Sequence, residues 1–228
     1  HYCLFPKQGG RNPDEYDDDQ LEQLGRLLGR IHSTGKARKA VHRLQINPDT
    51  FGRQNVAFLS DNGFLPPEIK NLYIKVTDEI FEMIDSLFKD LHTHRIHGDC
   101  HAGNVLWHPT HGYYFIDLDD MLTGPAVQDV WLLLPGRDPK SVADRALLLE
   151  AYETMNDFNW TELKLIEPLR TLRYIHFSAW IAKRWEDPSF KQAFPHFESA
   201  DYWNVSYRDL LDQKEEIQKI FEPQIPDY

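Results

Sequence analysis

Apolar residues recur at helical spacing through most of this chain, and strand-like alternation is confined to short stretches. Residues His1–Phe5 read as a short buried strand, ended by Pro6 and the Gly9-Gly10 pair. The acidic run "DEYDDDQ" then opens a helix in which Leu21, Leu24, Leu28 and Ile31 form one face. Asp17 to Asp19 suit its positive end, and Ser33-Thr34-Gly35 closes it. Residues from about 43 to 67 are rich in Asn, Pro, Gly and Asp and predict a long loop with little regular structure. From Pro67 a core helix is predicted on Ile69, Leu72, Val76, Ile80, Met83, Ile84 and Leu87. "RIHGD" runs into a loop, "NVLWH" and "YYFIDL" predict a hairpin about the tight turn "PTHG", and "AVQDVWLLL" predicts an apolar helix. The last third predicts three helices. One is "SVADRALLLEAYETM", one begins near Pro168 and carries Leu169, Leu172, Ile175, Ala179 and Ala182 on to Trp185, and one is "YRDLLDQKEEIQKIF". The aromatic stripe from Tyr174 to Trp185 is assigned to the core. The expected class is mostly α, a helical domain with a small β-hairpin.

With 228 residues, 41% of them hydrophobic, the chain can bury a substantial core. It carries 25 basic against 36 acidic residues, a net charge of −11, which argues against general binding to nucleic acid or an anionic membrane. Cys3 and Cys100 stand far apart and outside any CxxC pair, so neither a disulfide framework nor a cysteine zinc site is expected, and a reduced cytoplasmic compartment fits. No apolar run approaches the roughly 20 residues of a membrane helix. The opening "HYCLFPKQGGR" lacks an initiator Met and reads as a strand entering a turn, which implies sequence upstream of His1.

Chemistry concentrates in "RIHGDCHAGNVLWHPTHGYYFIDLDD", Arg95 to Asp120, where four His and four Asp fall within 26 residues. Asp99 stands at a loop entrance, Asn104 at the start of the hairpin's first strand, and Asp117 at the end of the second. A hairpin brings one strand's start beside the other's end, so Asn104 and Asp117 can face one point. A carboxylate with an amide oxygen is a hard, oxygen-rich partial shell of the kind Mg²⁺ accepts while keeping waters and phosphates in its other positions. Asp99 could then orient a hydroxyl and take its proton. The competing reading takes His97-x-Asp99-x-His101 as a ligand run for zinc or iron in a metallohydrolase. Taken singly, each of these Asp and Asn residues also suits a plain turn.

The spacing H-x-D-x-x-x-x-N in His97 to Asn104, with Asp117 in the position of the DFG aspartate, resembles the kinase catalytic loop. Together with "LGRLLGRIH" upstream and "IDL" around Asp117, it is similar to the aminoglycoside phosphotransferase and choline kinase superfamily. "HGDCHAGNVLW", "GPAVQDVWLLL", "LIEPLRTLRY" and "RWEDPSF" narrow the resemblance to bacterial stress-response Ser/Thr protein kinases built on that fold. The resemblance implies ATP and Mg²⁺ as cofactors. It makes Asp99 the catalytic base, Asn104 and Asp117 the metal ligands, Leu4 and Phe5 the hinge residues against adenine, and Asp129 the brace of the catalytic loop. It also implies a hinge strand and linker over residues 1–10 and a helical carboxy-terminal lobe over 11–228. The amino-terminal β lobe, with its phosphate loop and strand Lys, is expected to be absent, which would leave this chain a poor catalyst alone.

His97 is expected to support the loop by bonding backbone. His101 and Asp119 are further candidates, the first for substrate or phosphate, the second for the metal. Asp120 is a weaker candidate of the same kind. Cys100 is assigned to packing, and His92, His94, His108 and His111 to the surface. A non-catalytic kinase-like scaffold is the third alternative, but such a scaffold has no chemical need for Asp99, Asn104 and Asp117 together. The acceptor is expected to be a protein Ser/Thr or a small cationic alcohol such as an aminoglycoside, choline or sugar. The acidic run Asp14 to Asp19 would attract either. The enzyme is expected to act as a monomer.

Overall fold

The computed structural model describes residues 7, 9–13 and 15–222. The strand expected over His1–Phe5, and with it Leu4 and Phe5, lies outside them. In chain order the elements are α1 (Asp18–Lys36), a π-helical turn (Pro48–Arg53), α2 (Gln54–Asp61), α3 (Pro67–Ile84), β1 (His94–Ile96), β2 (Val105–His108), β3 (Gly112–Phe115), β4 (Leu122–Gly124), α4 (Val127–Leu133), α5 (Pro139–Glu153), α6 (Ile166–Ala182), α7 (Pro188–Ala193) and α8 (Ala200–Phe221). Short 3₁₀ turns cover Ala102–Asn104 and Leu118–Asp120. Helix dominates, as the periodicity predicts.

Two compact units emerge, one from residues up to Leu44 with His92–Glu162, the other from Gln45–Leu91 with Leu163 onward. In the first unit, α1 starts where the acidic run predicts. Asp17 Oδ1 accepts from Gln20 N at 2.9 Å, and the Gln20 side chain accepts from Asp17 N at 3.0 Å, so two otherwise unpaired donors are satisfied. Leu21, Leu24 and Leu28 are buried, and the stripe continues through His32 rather than Ile31. Helices α1 and α5 meet at close range because Gly25 lies against the Leu148 carbonyl. β2 and β3 form the expected antiparallel hairpin, with Val105 opposite Phe115 and His108 opposite Gly112. β1 pairs with β4, Ile96 opposite Leu122. The sequence reading missed β4, because three residues are too few to display a period.

The second unit corrects four expectations. The stretch from 43 to 67 is not a long loop. Asn47 caps a helical turn by accepting from Asp49 N and Thr50 N, each at 2.9 Å, and Pro48 occupies the first turn where no amide is needed. The same Asn-Pro pair that suggests a turn is therefore a helix start, and Phe51, Val56 and Leu59 bury behind it. In α3 the buried face runs through Ile69, Tyr73, Val76, Thr77, Ile80, Phe81 and Ile84, while Leu72 is 48% exposed. Tyr73 and Thr77 carry the 3.6-residue stripe that Leu72 leaves. On α6 Leu169, Leu172, Ile175, Ala179 and Ala182 are buried as expected, as is Trp185 just beyond its end, but Tyr174 and Phe177 are exposed, so the aromatic stripe is only partly core. α7 was not foreseen, and α8 begins at Ala200, seven residues before Tyr207, where Ser199 caps it by accepting from Tyr202 N at 3.1 Å.

Candidate active site

All the described candidate residues belong to the first unit and gather around the ends of the two small sheets. β1 ends at Ile96 and leads into His97-Gly98-Asp99. The backbone here is held from beneath by Asp129, the fully buried aspartate of α4. Its Oδ2 accepts from His97 N at 2.8 Å and its Oδ1 from Gly98 N at 2.9 Å. A carboxylate taken out of water needs such donors, and charge-assisted bonds of this kind are the stronger ones. Gly98 sits at φ +86°, and a Cβ there would stand 2.6 Å from the Asp120 carbonyl oxygen, so the turn requires glycine.

The same carboxylate is held from a second side. His32 Nε2 lies 2.9 Å from Asp129 Oδ2, and His32 Nδ1 lies 3.0 Å from Tyr152 Oη. Burial raises the Tyr152 phenol above its ordinary range, against the opposing bond from Asn156. The phenol therefore stays protonated and donates to Nδ1, which leaves Nε2 as the nitrogen that donates to Asp129. α1, α4 and α5 thus converge on one chain, Tyr152 to His32 to Asp129, ending at the two amides before Asp99. Neither His32 nor Tyr152 was singled out in the sequence. The usable signal was that the α1 stripe places a His, four residues after Leu28, where an apolar residue was due.

His97 is fully buried. Its Nε2 lies 2.9 Å from the Ile116 carbonyl oxygen, and its Nδ1 lies 3.4 Å from Asp99 N, so its ring ties the loop to the segment that precedes Asp117. Asp99 is partly exposed, and its Oδ2 lies 3.4 Å from His101 Nε2. Cys100 is buried, and burial, reinforced by Asp129 and Asp99, pushes its thiol well up, so it remains a neutral packing group. The His97-Asp99-His101 run does not converge as a ligand set. Both His97 nitrogens face the protein's own groups, and among the described residues no group of three or more His, Cys, Asp or Glu side chains is arranged to hold an ion.

Asn104 is buried and its Nδ2 donates to the Asp99 carbonyl at 2.9 Å. That bond fixes the amide, leaving Oδ1 as the oxygen available to a cation. Ile116 N donates to the Asn104 carbonyl at 3.0 Å, which continues the hairpin pairing one step and brings Asp117 next to it in sequence. Strand β3 ends at Phe115, so Asp117 does not close the strand as expected. It lies in the left-handed region at φ 62°, ψ 62°, exposed, as the cap of the following 3₁₀ turn. An Asp tolerates that backbone where most residues would not. One amide oxygen and one exposed carboxylate at the hairpin's base fit a hard divalent cation that takes phosphates and water in its other positions. Asp119 and Asp120 are exposed in the same turn, and the Asp119 carbonyl accepts from Arg43 at 2.5 Å. His108 and His111 stack at 4.8 Å across the hairpin turn, whereas His94, expected at the surface, is only partly exposed and has a buried Nε2.

An aspartate in the loop after β1, an asparagine five residues on and an aspartate at the hairpin's base, on a mostly helical scaffold, have the arrangement expected of a kinase-like phosphotransferase. The chain belongs to the phosphotransferase enzyme family, whose sequence profile matches residues 1–166. It is 37% identical over 220 residues to stress response kinase A of Escherichia coli strain K12, covering 96% of this chain and 66% of that protein. Similarity extends to the serine/threonine protein kinase RdoA of Salmonella typhimurium strain LT2, 38% identical over 214 residues, covering 93% of this chain and 65% of the relative. The chain thus spans about two thirds of the length of these relatives. Among solved structures, the amicoumacin kinase hAmiN in complex with AMP-PNP, Ca²⁺ and Ami superposes with a TM-score of 0.63 at 20% identity, covering 93% of this chain and 63% of that one. Among the described residues no helix is long and apolar enough to cross a membrane.

Proposed function

We propose that the chain carries the catalytic loop of an ATP-dependent phosphotransferase that phosphorylates Ser or Thr hydroxyls of proteins in a cytoplasmic stress response. The observation that carries this reading is the Asn104 amide, fixed by its bond to the Asp99 carbonyl in a loop that the Ile116–Asn104 backbone bond joins to the segment just before Asp117. Asp99 aligns the acceptor hydroxyl and takes its proton as the γ-phosphoryl group passes from ATP to the acceptor oxygen and ADP leaves. Asn104 Oδ1 and the Asp117 carboxylate would hold Mg²⁺, which when bound neutralises charge on the phosphates. His97, Asp129 and His32 fix the loop, so the protein's contribution is positioning and electrostatics rather than covalent chemistry. Leu4 and Phe5 are proposed to lie against adenine. Asp119 and His101, beside the two carboxylates, are secondary candidates for the metal and the phosphate.

The protein acceptor is supported by the relatives' names, stress response kinase A and serine/threonine protein kinase RdoA. A small cationic alcohol is the second reading, and the exposed acidic run at Glu15 and Asp17 to Asp19 would attract either acceptor, so charge does not separate the two. The deciding experiment is γ-phosphate transfer from ATP by the full-length protein with Mg²⁺, offered a basic protein and an aminoglycoside in parallel. Asp99→Asn should lower turnover by about 10²–10⁴-fold while ATP affinity stays near wild type, and Asp117→Ala should abolish Mg²⁺-dependent transfer. Label on the aminoglycoside alone would move the acceptor to small molecules. Unchanged turnover in Asp99→Asn would reject the base.

A further inference from the structure

A third element reaches the Asn104 loop from a distant part of the chain. Residues 9–12 run beside the hairpin, joined to it at Gly9, Arg11 and Asn12. Tyr114 Oη donates to the Gly9 carbonyl, and Arg11 and Trp107 exchange backbone bonds at 3.0 and 2.9 Å. The Arg11 guanidinium also sits 5.0 Å over the Trp107 ring. The next residue, Asn12, turns its amide onto the loop itself. Its Nδ2 lies 2.9 Å from the Gly103 carbonyl oxygen, 2.9 Å from that of Val105 and 3.3 Å from that of Ala102. These carbonyls flank Asn104 on both sides, so one amide group gathers the backbone on either side of the residue whose side chain is committed to the Asp99 carbonyl.

We propose that Asn12 is a positioning residue that latches the Asn104 loop to the segment preceding α1, and so sets the metal affinity of the site. This rests on the reading of Asn104 as a metal ligand. Three carbonyl dipoles pointing at one place repel each other unless a donor lies among them. Asn12 supplies the donor, and the strand-like pairing of Arg11 with Trp107 holds Asn12 in place. The latch also gives residues 9–12 a mechanical connection to the Asn104 loop. A shift of that segment along the hairpin would reach Asn104 through a single amide.

The test uses full-length protein carrying Asn12→Asp, which keeps the shape and replaces the donor with a further acceptor, with Asn12→Ala beside it. The Mg²⁺ concentration that half-saturates phosphotransfer should rise by about 10–100-fold, as for the loss of other groups that orient a metal ligand. Turnover at saturating Mg²⁺ should stay within about threefold, and nucleotide affinity without metal should not move. Hydrogen exchange at the Asn104 and Val105 amides should accelerate in both variants, while the thermal midpoint falls by less than about 3 °C. An unchanged Mg²⁺ half-saturation in an active wild type, or an unchanged exchange rate at those two amides, overturns the latch. If wild type transfers no phosphate while the exchange result holds, the loop restraint stands and the phosphotransfer reading falls instead.

Discussion

Among single residues, Gly98 shows how tightly the loop before Asp99 is built. Its φ of +86° is open to glycine, and the Asp120 carbonyl would meet any added Cβ at 2.6 Å. Because the obstacle is backbone and not a flexible side chain, Gly98→Ala should cost about 1–3 kcal/mol, from the left-handed conformation together with the clash. The expected readout is a thermal midpoint lower by roughly 2–12 °C in the full-length protein, with turnover depressed further because Asp99 is the next residue. A variant as stable and active as wild type would show that the loop can relax. Asp99, Asn104 and Asp117 stand out in the sequence as candidates because their residue types and spacing form a recognisable pattern. His32 does not, since a single His on an apolar helix face looks the same whether it fills space or orients a carboxylate. Asn12 was hidden for another reason: its partners stand 90, 91 and 93 residues away, and no local pattern encodes such a bond.

At the scale of elements, helices were legible where a wide apolar stripe met a start signal, as in α1 capped by Asp17 and α3 opened by Pro67 in its first turn. Boundaries failed where the same residues serve two purposes. Asn47-Pro48 reads as a turn and acts as a helix start, and β4 is too short for any period to show. Contacts between helices were not legible at all, and the α1–α5 pair illustrates why. A Cβ on Gly25 would stand 2.1 Å from the Leu148 carbonyl oxygen, so the two helices approach closely only because that position is bare. Helix propensity alone says that Gly25→Ala should stabilise α1 by about 1 kcal/mol. Forced separation of two packed helices costs more, about 1–3 kcal/mol, so net destabilisation is expected, read as a lower thermal or denaturant midpoint. Since α1 carries His32 and α5 carries Tyr152, the same variant should weaken the support of Asp129 and lower turnover beyond its effect on stability. A Gly25→Ala protein more stable than wild type would mean that the pair tolerates separation.

For the whole molecule, the response to acid follows from two histidines, one in each compact unit. Burial, with help from His32 and Lys36, lowers His94 from 6.5 to about 3, and its Nε2 is buried without a partner. Burial and then Lys183, Arg173 and Arg184 lower His176 to about 4. Both are therefore neutral when folded at pH values where the unfolded chain would protonate them. With the folded pKa below the unfolded one, the unfolded state binds more protons between the two values. Stability is then complete above about pH 6.5 and is lost progressively as pH falls toward 4. The carboxylates whose pKa the fold lowers, such as Glu79 beside Lys214, start from 4.5 and add to the loss at the acid end of that window. The chain's net charge of −11 acts in the other direction, because partial protonation relieves self-repulsion as the pH drops. A difference between variants removes that common background. His94→Phe keeps a ring against His32, whose centroid lies 5.0 Å away, and removes the titrating group. Denaturation of full-length protein at a series of pH values should show wild type taking up about one more proton on unfolding than His94→Phe between pH 6.5 and 4. Parallel curves for the two proteins over that range would mean that His94 becomes charged in the folded state, and that its burial does not hold it neutral.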